Sequence, residues 1–185
     1  MSRLVDKQIR AKCKDASSPL ISPFREIYLQ PCSYDVCLDR DYLVEANVSF
    51  KDQPCRLGNK PWRERHIECW GDPIIVQPGQ FILASTVETF CIPMMLSAQI
   101  SGKSSWGRMG IMVHVTAGFI DPGFSGKITL EIVNVGNSAV ELPTGKPIAQ
   151  VAFDELSQLP ANRYGNIMAL GSHYQGQSSP TPARA

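Results

Sequence analysis

The chain has 185 residues, 43% of them hydrophobic and 19% charged, with a formal net charge of +1. That composition fits one globular domain with a sizeable core. The near-zero charge gives no global pull toward nucleic acid or a membrane surface, so any anion site must come from a local cluster.

No apolar run approaches a membrane span, and the charged N-terminal stretch MSRLVDKQIRAKCK lacks the apolar centre of a signal peptide. Six cysteines (Cys13, Cys32, Cys37, Cys55, Cys69 and Cys91) without an export signal predict reduced, mostly buried thiols and a cytoplasmic setting. There is no CxxC pair. The H-x-E and P-C-x-x-C halves of the hydrolytic zinc deaminases are both missing, so no zinc site is expected.

In chain order, Leu4, Val5, Ile9 and Cys13 fall at helical spacing and predict a short amphipathic helix over 4–13. Prolines 19, 23 and 31 then enforce an extended, turning segment. From Ser33 the texture turns to β. SYDVCL alternates, with Tyr34, Val36 and Leu38 on one face and Asp35 and Cys37 on the other. Further strands are predicted in DYLVEANVSF, HIECW, PIIVQ, QFILASTVETF, MLSAQISG, GIMVHVTAGFI, KITLEIVN, AVELP and IAQVAFDEL. Gly, Pro, Asn and Asp separate them about every ten residues, the pattern of a mainly β barrel or sandwich. Gln77-Pro78-Gly79-Gln80 and Pro143-Thr144-Gly145-Lys146 read as hairpin turns. The domain is expected to end near residue 160. Residues 161–185 read as a flexible tail whose Tyr164, His173, Tyr174 and Gln177 could fold over a ligand. Trp62, Trp70 and Trp106 read as packing residues, and His114 as a core or interface histidine.

Three features of the run 101–134 carry chemistry. Gly102-Lys103-Ser104-Ser105 lacks the first glycine of a Walker A loop, Ser97 standing there, yet it and Arg108 concentrate two hydroxyls and two cations suited to a polyphosphate. Ser104 and Arg108 share a face if the piece is one helical turn. Residues 118–126 form a glycine-rich turn in which Pro122-Gly123 allows a type II geometry with Asp121 and Phe124 on either side. Glu131 is a lone carboxylate in a strand. Alternation places it with Lys127, Thr129 and Val133, facing either solvent or a cleft in which desolvation would raise its pKa into general-base range.

Taken with PCSYDVCL (31–38), VQPGQFILAST (76–86), GKSSWGRMG (102–110), TAGFIDPGFSGKITLE (116–131) and HYQGQSSPTPAR (173–184), the chain resembles the deoxycytidine triphosphate deaminase branch of the trimeric dUTPase-like superfamily. The resemblance implies a distorted β-barrel or jelly-roll subunit with a short N-terminal helix and an extended C-terminal tail. It also implies a homotrimer with nucleotide sites at subunit interfaces, taking dCTP or dUTP, with no role for nucleic acid or membrane. Glu131 would be general base and acid, Ser104 and the carbonyl of Ala117 would hold the attacking water, and Arg108 would orient Glu131. Lys103, Ser105, Tyr164, His173 and Gln177 would meet the triphosphate, whose oxygens would carry Mg²⁺. Val115, Thr116 and Gly118 would also bind the substrate, and Phe124 would pack under the deoxyribose. The family's usual Gly-Arg-Ser-Ser reads Gly-Lys-Ser-Ser here, its tail Lys-Tyr reads His173-Tyr174, and its Gln-Arg-Gly reads Gln177-Ser178-Ser179. Gly118 stands where dUTP-releasing members carry His, and 118–126 fits the dUTPase pattern G-x-[IV]-D-x-x-[YF]-x-G. This points to dCTP being taken directly to dUMP, with Asp121 near the 3′-hydroxyl and a second water. The alternatives are release of dUTP, a plain dUTPase, or a non-catalytic nucleotide-sensing trimer.

Overall fold

A computed structural model describes residues 2–45, 66–166 and 172–184. The elements are β1 (Ser2–Arg3), α1 (Asp6–Cys13), β2 (Ile21–Ser22), a 3₁₀ turn (Glu26–Tyr28), β3 (Tyr34–Glu45), β4 (His66–Trp70), β5 (Ile74–Val76) and β6 (Phe81–Cys91). They continue with β7 (Leu96–Gly102), α2 (Ser104–Arg108), β8 (Ile111–Met112), β9 (Phe119–Ile120), β10 (Ser125–Asn134), β11 (Val140–Leu142) and β12 (Pro147–Glu155). The predicted residues 46–50 of DYLVEANVSF, Cys55 and Trp62 lie outside the described residues.

The strands form one curled antiparallel sheet in the order β8-β10-β6-β3-β12-β7-β9, with β1, β2 and β4 added at β12, β6 and β3. A separate β5–β11 pair flanks it. The mainly β class expected from the strand pattern is thus observed, in the form of a curled half-barrel sheet. Its core gathers Leu4, Ile9, Tyr34, Leu38, Ile82, Phe90, Leu130, Ile132, Val151 and Phe153, each at most 1% exposed. Burial of each large side chain contributes about 1.5–3 kcal/mol before chain entropy is counted.

The N-terminal helix begins at Asp6 and not at residue 4, because the Leu4 N–H donates to the Phe153 carbonyl of β12 at 2.8 Å and is tied to the sheet. Val5 is 45% exposed, so it is not part of the buried face. The alternation expected in SYDVCL fails in a different way: Tyr34 to Leu38 are all buried, Asp35 and Cys37 included, because β3 is covered on both sides. GIMVHVTAGFI was predicted as a single strand but contains only β8 and β9; residues 113–118 between them leave the sheet. Trp70 is 66% exposed, its ring covered by the Arg40 guanidinium at 5.5 Å, whereas Trp106 donates its indole N–H to the Pro147 carbonyl at 3.0 Å. The five described cysteines are free thiols, but only Cys13 and Cys37 are buried, fewer than expected.

Strand β10 organises the site. Ile128, Leu130, Ile132 and Asn134 face the core, and Lys127, Thr129, Glu131 and Val133 face outward, as the alternation predicts. Asn134 ends the strand, its fully buried amide donating to the carbonyls of Val76 and Ser138 while its oxygen accepts the Gly136 N–H. Both of its amide donors and one of its acceptor sites are used, which fixes the β5–β11 pair against the strand terminus.

Candidate active site

Glu131 sits on the outward face of β10 opposite the 113–118 segment. Its Oε2 accepts the main-chain N–H of Val115 at 2.9 Å and of Thr116 at 3.4 Å. These donors explain why 113–118 departs from strand geometry: its amides serve a carboxylate instead of a neighbouring strand. Oε1 has no hydrogen-bond partner among the described residues, and Glu131 lines a cleft of about 380 Å³. The Glu131 side chain is half-buried and opens onto this cleft.

The same cleft is lined by Ala117, Asp121, Phe124, Tyr164 and Gln177. Its far end is the turn after β9. Gly123 takes φ +88°, the left-handed value that the predicted type II turn demands, and Phe124 donates its N–H to the Asp121 carbonyl at 3.2 Å. The turn is pinned to the body from two sides, by Gly123 N–H to Ile92 O at 2.9 Å and Ile92 N–H to Phe124 O at 2.8 Å. Phe124 is buried, and its ring meets Tyr164 edge-on with centroids 5.7 Å apart. Burial lifts the Tyr164 phenol above its ordinary pKa, so the hydroxyl stays a proton donor across the neutral range.

The tail forms the remaining wall. Lys127 N–H donates to the Gln177 carbonyl at 2.9 Å, Gln177 Nε2 returns a bond to the Lys127 carbonyl at 2.7 Å, and Thr129 Oγ1 donates to Gln177 Oε1 at 3.3 Å. Gly126, at φ +144°, permits this approach: a Cβ there would stand 2.9 Å from the Gln177 carbonyl oxygen. Tyr174, Thr181 and Ala183 complete the wall. His173 lies outside it, in an adjoining hollow shared with Asp121 and Tyr164.

The hydroxyl and cation cluster of Lys103, Ser104, Ser105 and Arg108 is elsewhere. Ser104 to Arg108 do form one helical turn, but Ser104, Ser105 and Arg108 are exposed and none lines the Glu131 cleft. Among the described residues no hydrogen bond or ion pair joins Arg108 to Glu131. Lys103 donates to Asp35 Oδ2 at 2.5 Å, a carboxylate only 5% exposed that also takes the Gln30 amide. One chain therefore assembles Glu131, Ala117, Asp121, Phe124, Tyr164 and Gln177, and leaves Lys103, Ser104, Ser105 and Arg108 apart. Gly118 is buried behind the cleft, its carbonyl bonded to the Ile100 N–H at 2.8 Å, and His114 packs against it. Phe119, which lines the cleft, is 63% exposed, and Met109, Met112 and Val115 are 53%, 42% and 46% exposed.

Sequence reasoning missed Asp35, Thr129, Thr181 and Gln175. The only signal for Asp35 was a carboxylate among apolar residues in SYDVCL. For Gln175 it was the Gln-Gly-Gln spacing in the tail.

A family model described as dCTP deaminase-like matches residues 3–156. The chain is 41% identical over 181 residues to a Corynebacterium efficiens protein named dCTP deaminase, dUMP-forming, covering 98% of this chain and 93% of the relative. Proteins of that name from Mycolicibacterium smegmatis and Thermobifida fusca are also 41% identical, and this chain covers 95% and 92% of their lengths. The crystal structure of a 2′-deoxycytidine 5′-triphosphate deaminase from Agrobacterium tumefaciens shares the fold, with a TM-score of 0.64 at 22% identity. That match covers 83% of this chain and 48% of the longer Agrobacterium chain. The chain belongs to the dCTP deaminase-like family. Within it, the relatives named above are of the dUMP-forming kind.

Proposed function

We propose that the protein converts dCTP to dUMP, pyrophosphate and ammonia with two waters. The observation that carries this reading is a single cleft with a main-chain-held carboxylate at one end and an aspartate turn over a buried aromatic at the other. The similarity to dUMP-forming relatives points the same way.

In the first half, Glu131 takes a proton from a water whose oxygen attacks C4 of cytosine. Glu131 passes that proton to N3, and the water's second proton reaches the amino group. The C4–N bond then breaks, ammonia leaves, and C4 keeps the oxygen as a carbonyl. Val115 and Thr116 N–H groups orient the carboxylate, and the carbonyl of Ala117 steadies the water. In the second half, Asp121 holds the 3′-hydroxyl and directs a second water at the α-phosphorus, from which pyrophosphate departs. Phe124 packs under the sugar, and Tyr164 and Gln177 meet the phosphates. Mg²⁺ would be carried by the triphosphate oxygens and would neutralise charge there as pyrophosphate departs.

A second copy supplies Ser104, Ser105 and Arg108, completing the site at a subunit interface in a homotrimer, while Lys103 stays paired with Asp35. The exposed apolar side chains of Met109, Met112, Val115 and Phe119, the last of them in the cleft lining, support this assembly. The tail after residue 160 closes the site. A cytoplasmic setting agrees with five free thiols, and no helix of the described residues is long and apolar enough to cross a membrane.

Incubation of the purified protein with dCTP and Mg²⁺, resolved by ion-exchange chromatography, tests the reading. dUMP and pyrophosphate in equal amounts are expected. Accumulation of dUTP without pyrophosphate, or turnover of dUTP but not dCTP, would overturn it.

A further inference from the structure

Gln175 of the tail bonds to the turn that carries Asp121 and Phe124, a contact that the mechanism above does not use. The Gln175 side-chain amide donates through Nε2 to the Gly123 carbonyl at 3.1 Å and accepts the Ser125 N–H through Oε1 at 3.1 Å. Those two groups flank Phe124, so one planar amide spans the turn that carries Asp121 and Phe124. The next tail residue extends the contact, Gly176 N–H donating to the Ser125 carbonyl at 2.7 Å. Tyr164 N–H to the Pro122 carbonyl, at 2.9 Å, holds the same turn from the other side. Glu131 is held by a different segment: its donors are Val115 and Thr116, and no tail residue bonds to its carboxylate among the described residues.

We propose that Gln175 is a positioning residue that ties seating of the C-terminal tail to the geometry of the Asp121–Phe124 turn. It thereby acts on the phosphate-cleaving half of the reaction and not on deamination. The proposal rests on the reading of the cleft as a dCTP site. A primary amide is required because the turn presents an acceptor at Gly123 and a donor at Ser125. A carboxylate in its place keeps the second bond and sets an anion against the Gly123 carbonyl.

The test uses single turnovers of dCTP by the full chain and its Gln175→Ala and Gln175→Glu variants, with dUTP, dUMP and ammonia followed separately. Ammonia release is expected within about twofold of wild type, while dUMP formation slows about tenfold or more and dUTP appears transiently. Ammonia and dUMP falling in parallel, or no change in either variant, would overturn the proposal. Amide hydrogen exchange judges the tether without any turnover. The Ser125 amide should exchange about tenfold faster in Gln175→Ala, with Val115 unchanged. Equal exchange at Ser125 would overturn the tether. A wild-type protein inert toward dCTP would overturn the reading of the cleft, and the Ser125 exchange would still decide whether Gln175 holds the turn.

Discussion

At the scale of single residues, the account turns on how the protein holds its carboxylates. Glu131 takes two main-chain N–H groups on one oxygen, which fixes its orientation and leaves the other oxygen toward the cleft. Glu131→Gln keeps the shape and loses the base, so deamination should fall by about 10²–10⁴-fold while nucleotide still binds. Steady-state kinetics with equilibrium dialysis checks this, and activity within about tenfold of wild type would remove Glu131 from its role. Asp35 is a different kind of carboxylate, buried, paired with Lys103, and with Oδ1 lacking a partner. Lys103→Met would strand that charge and should destabilise the chain toward the low end of the ~3–5 kcal/mol seen for broken buried pairs. Lys103 is itself partly solvated, which is why the low end applies. Urea unfolding measures the loss, and an unchanged midpoint would contradict the pairing. Glu88 is 2% exposed, and burial pushes its carboxyl above the ordinary 4.5. The folded chain thus keeps a proton that the unfolded chain has released, so this group's stabilisation is full below pH 4.5 and is lost as pH rises through its folded value. Gln at position 88 can still accept the Cys37 N–H that Glu88 Oε2 accepts at 2.9 Å. The variant should therefore lose less stability than wild type as pH climbs above 4.5, a difference that Tm measured against pH would show. Identical pH slopes would contradict a buried titrating acid there.

At the scale of elements, β10 and the tail act together. The outward face of the strand supplies Glu131 and Thr129, and its first residues offer main-chain groups to Gln175, Gly176 and Gln177. Gly126→Ala would place a Cβ 2.9 Å from the Gln177 carbonyl oxygen at a φ disfavoured for Ala, so the tail should lift. Faster proteolysis within 172–184 and a higher KM with the barrel intact are expected; an unchanged cleavage rate would mean that the tail is held elsewhere. The strand itself was legible because its period-two pattern is local: Ile128, Leu130 and Ile132 are buried as alternation requires. The Gly123 turn was legible for the same reason, since glycine after proline encodes the backbone angle by itself. Residues 113–118 were not. Their apolar texture reads as strand, and only a carboxylate on another element explains where their amides point. The double burial of Tyr34 to Leu38 and the Lys103–Asp35 pair also depend on which elements cover β3 and reach it from a distance in sequence. No local pattern carries that information.

At the scale of the whole molecule, one chain builds a cleft lined by Glu131, Asp121 and Phe124 and keeps Ser104, Ser105 and Arg108 exposed on α2. Family resemblance assigned all of these residues to one site, while the chain separates them into two surfaces. Both descriptions hold if the cleft of one copy receives α2 of the next around a three-fold axis. The measurement that tests this most directly mixes two inactive variants, Glu131→Gln and Arg108→Ala, by co-refolding, and assays dCTP turnover. Each variant alone should be inactive, whereas the mixture should recover about a quarter of wild-type activity, because some interfaces then join an intact Glu131 to an intact Arg108. A mixture as inactive as its parents would contradict a site shared between copies of this chain.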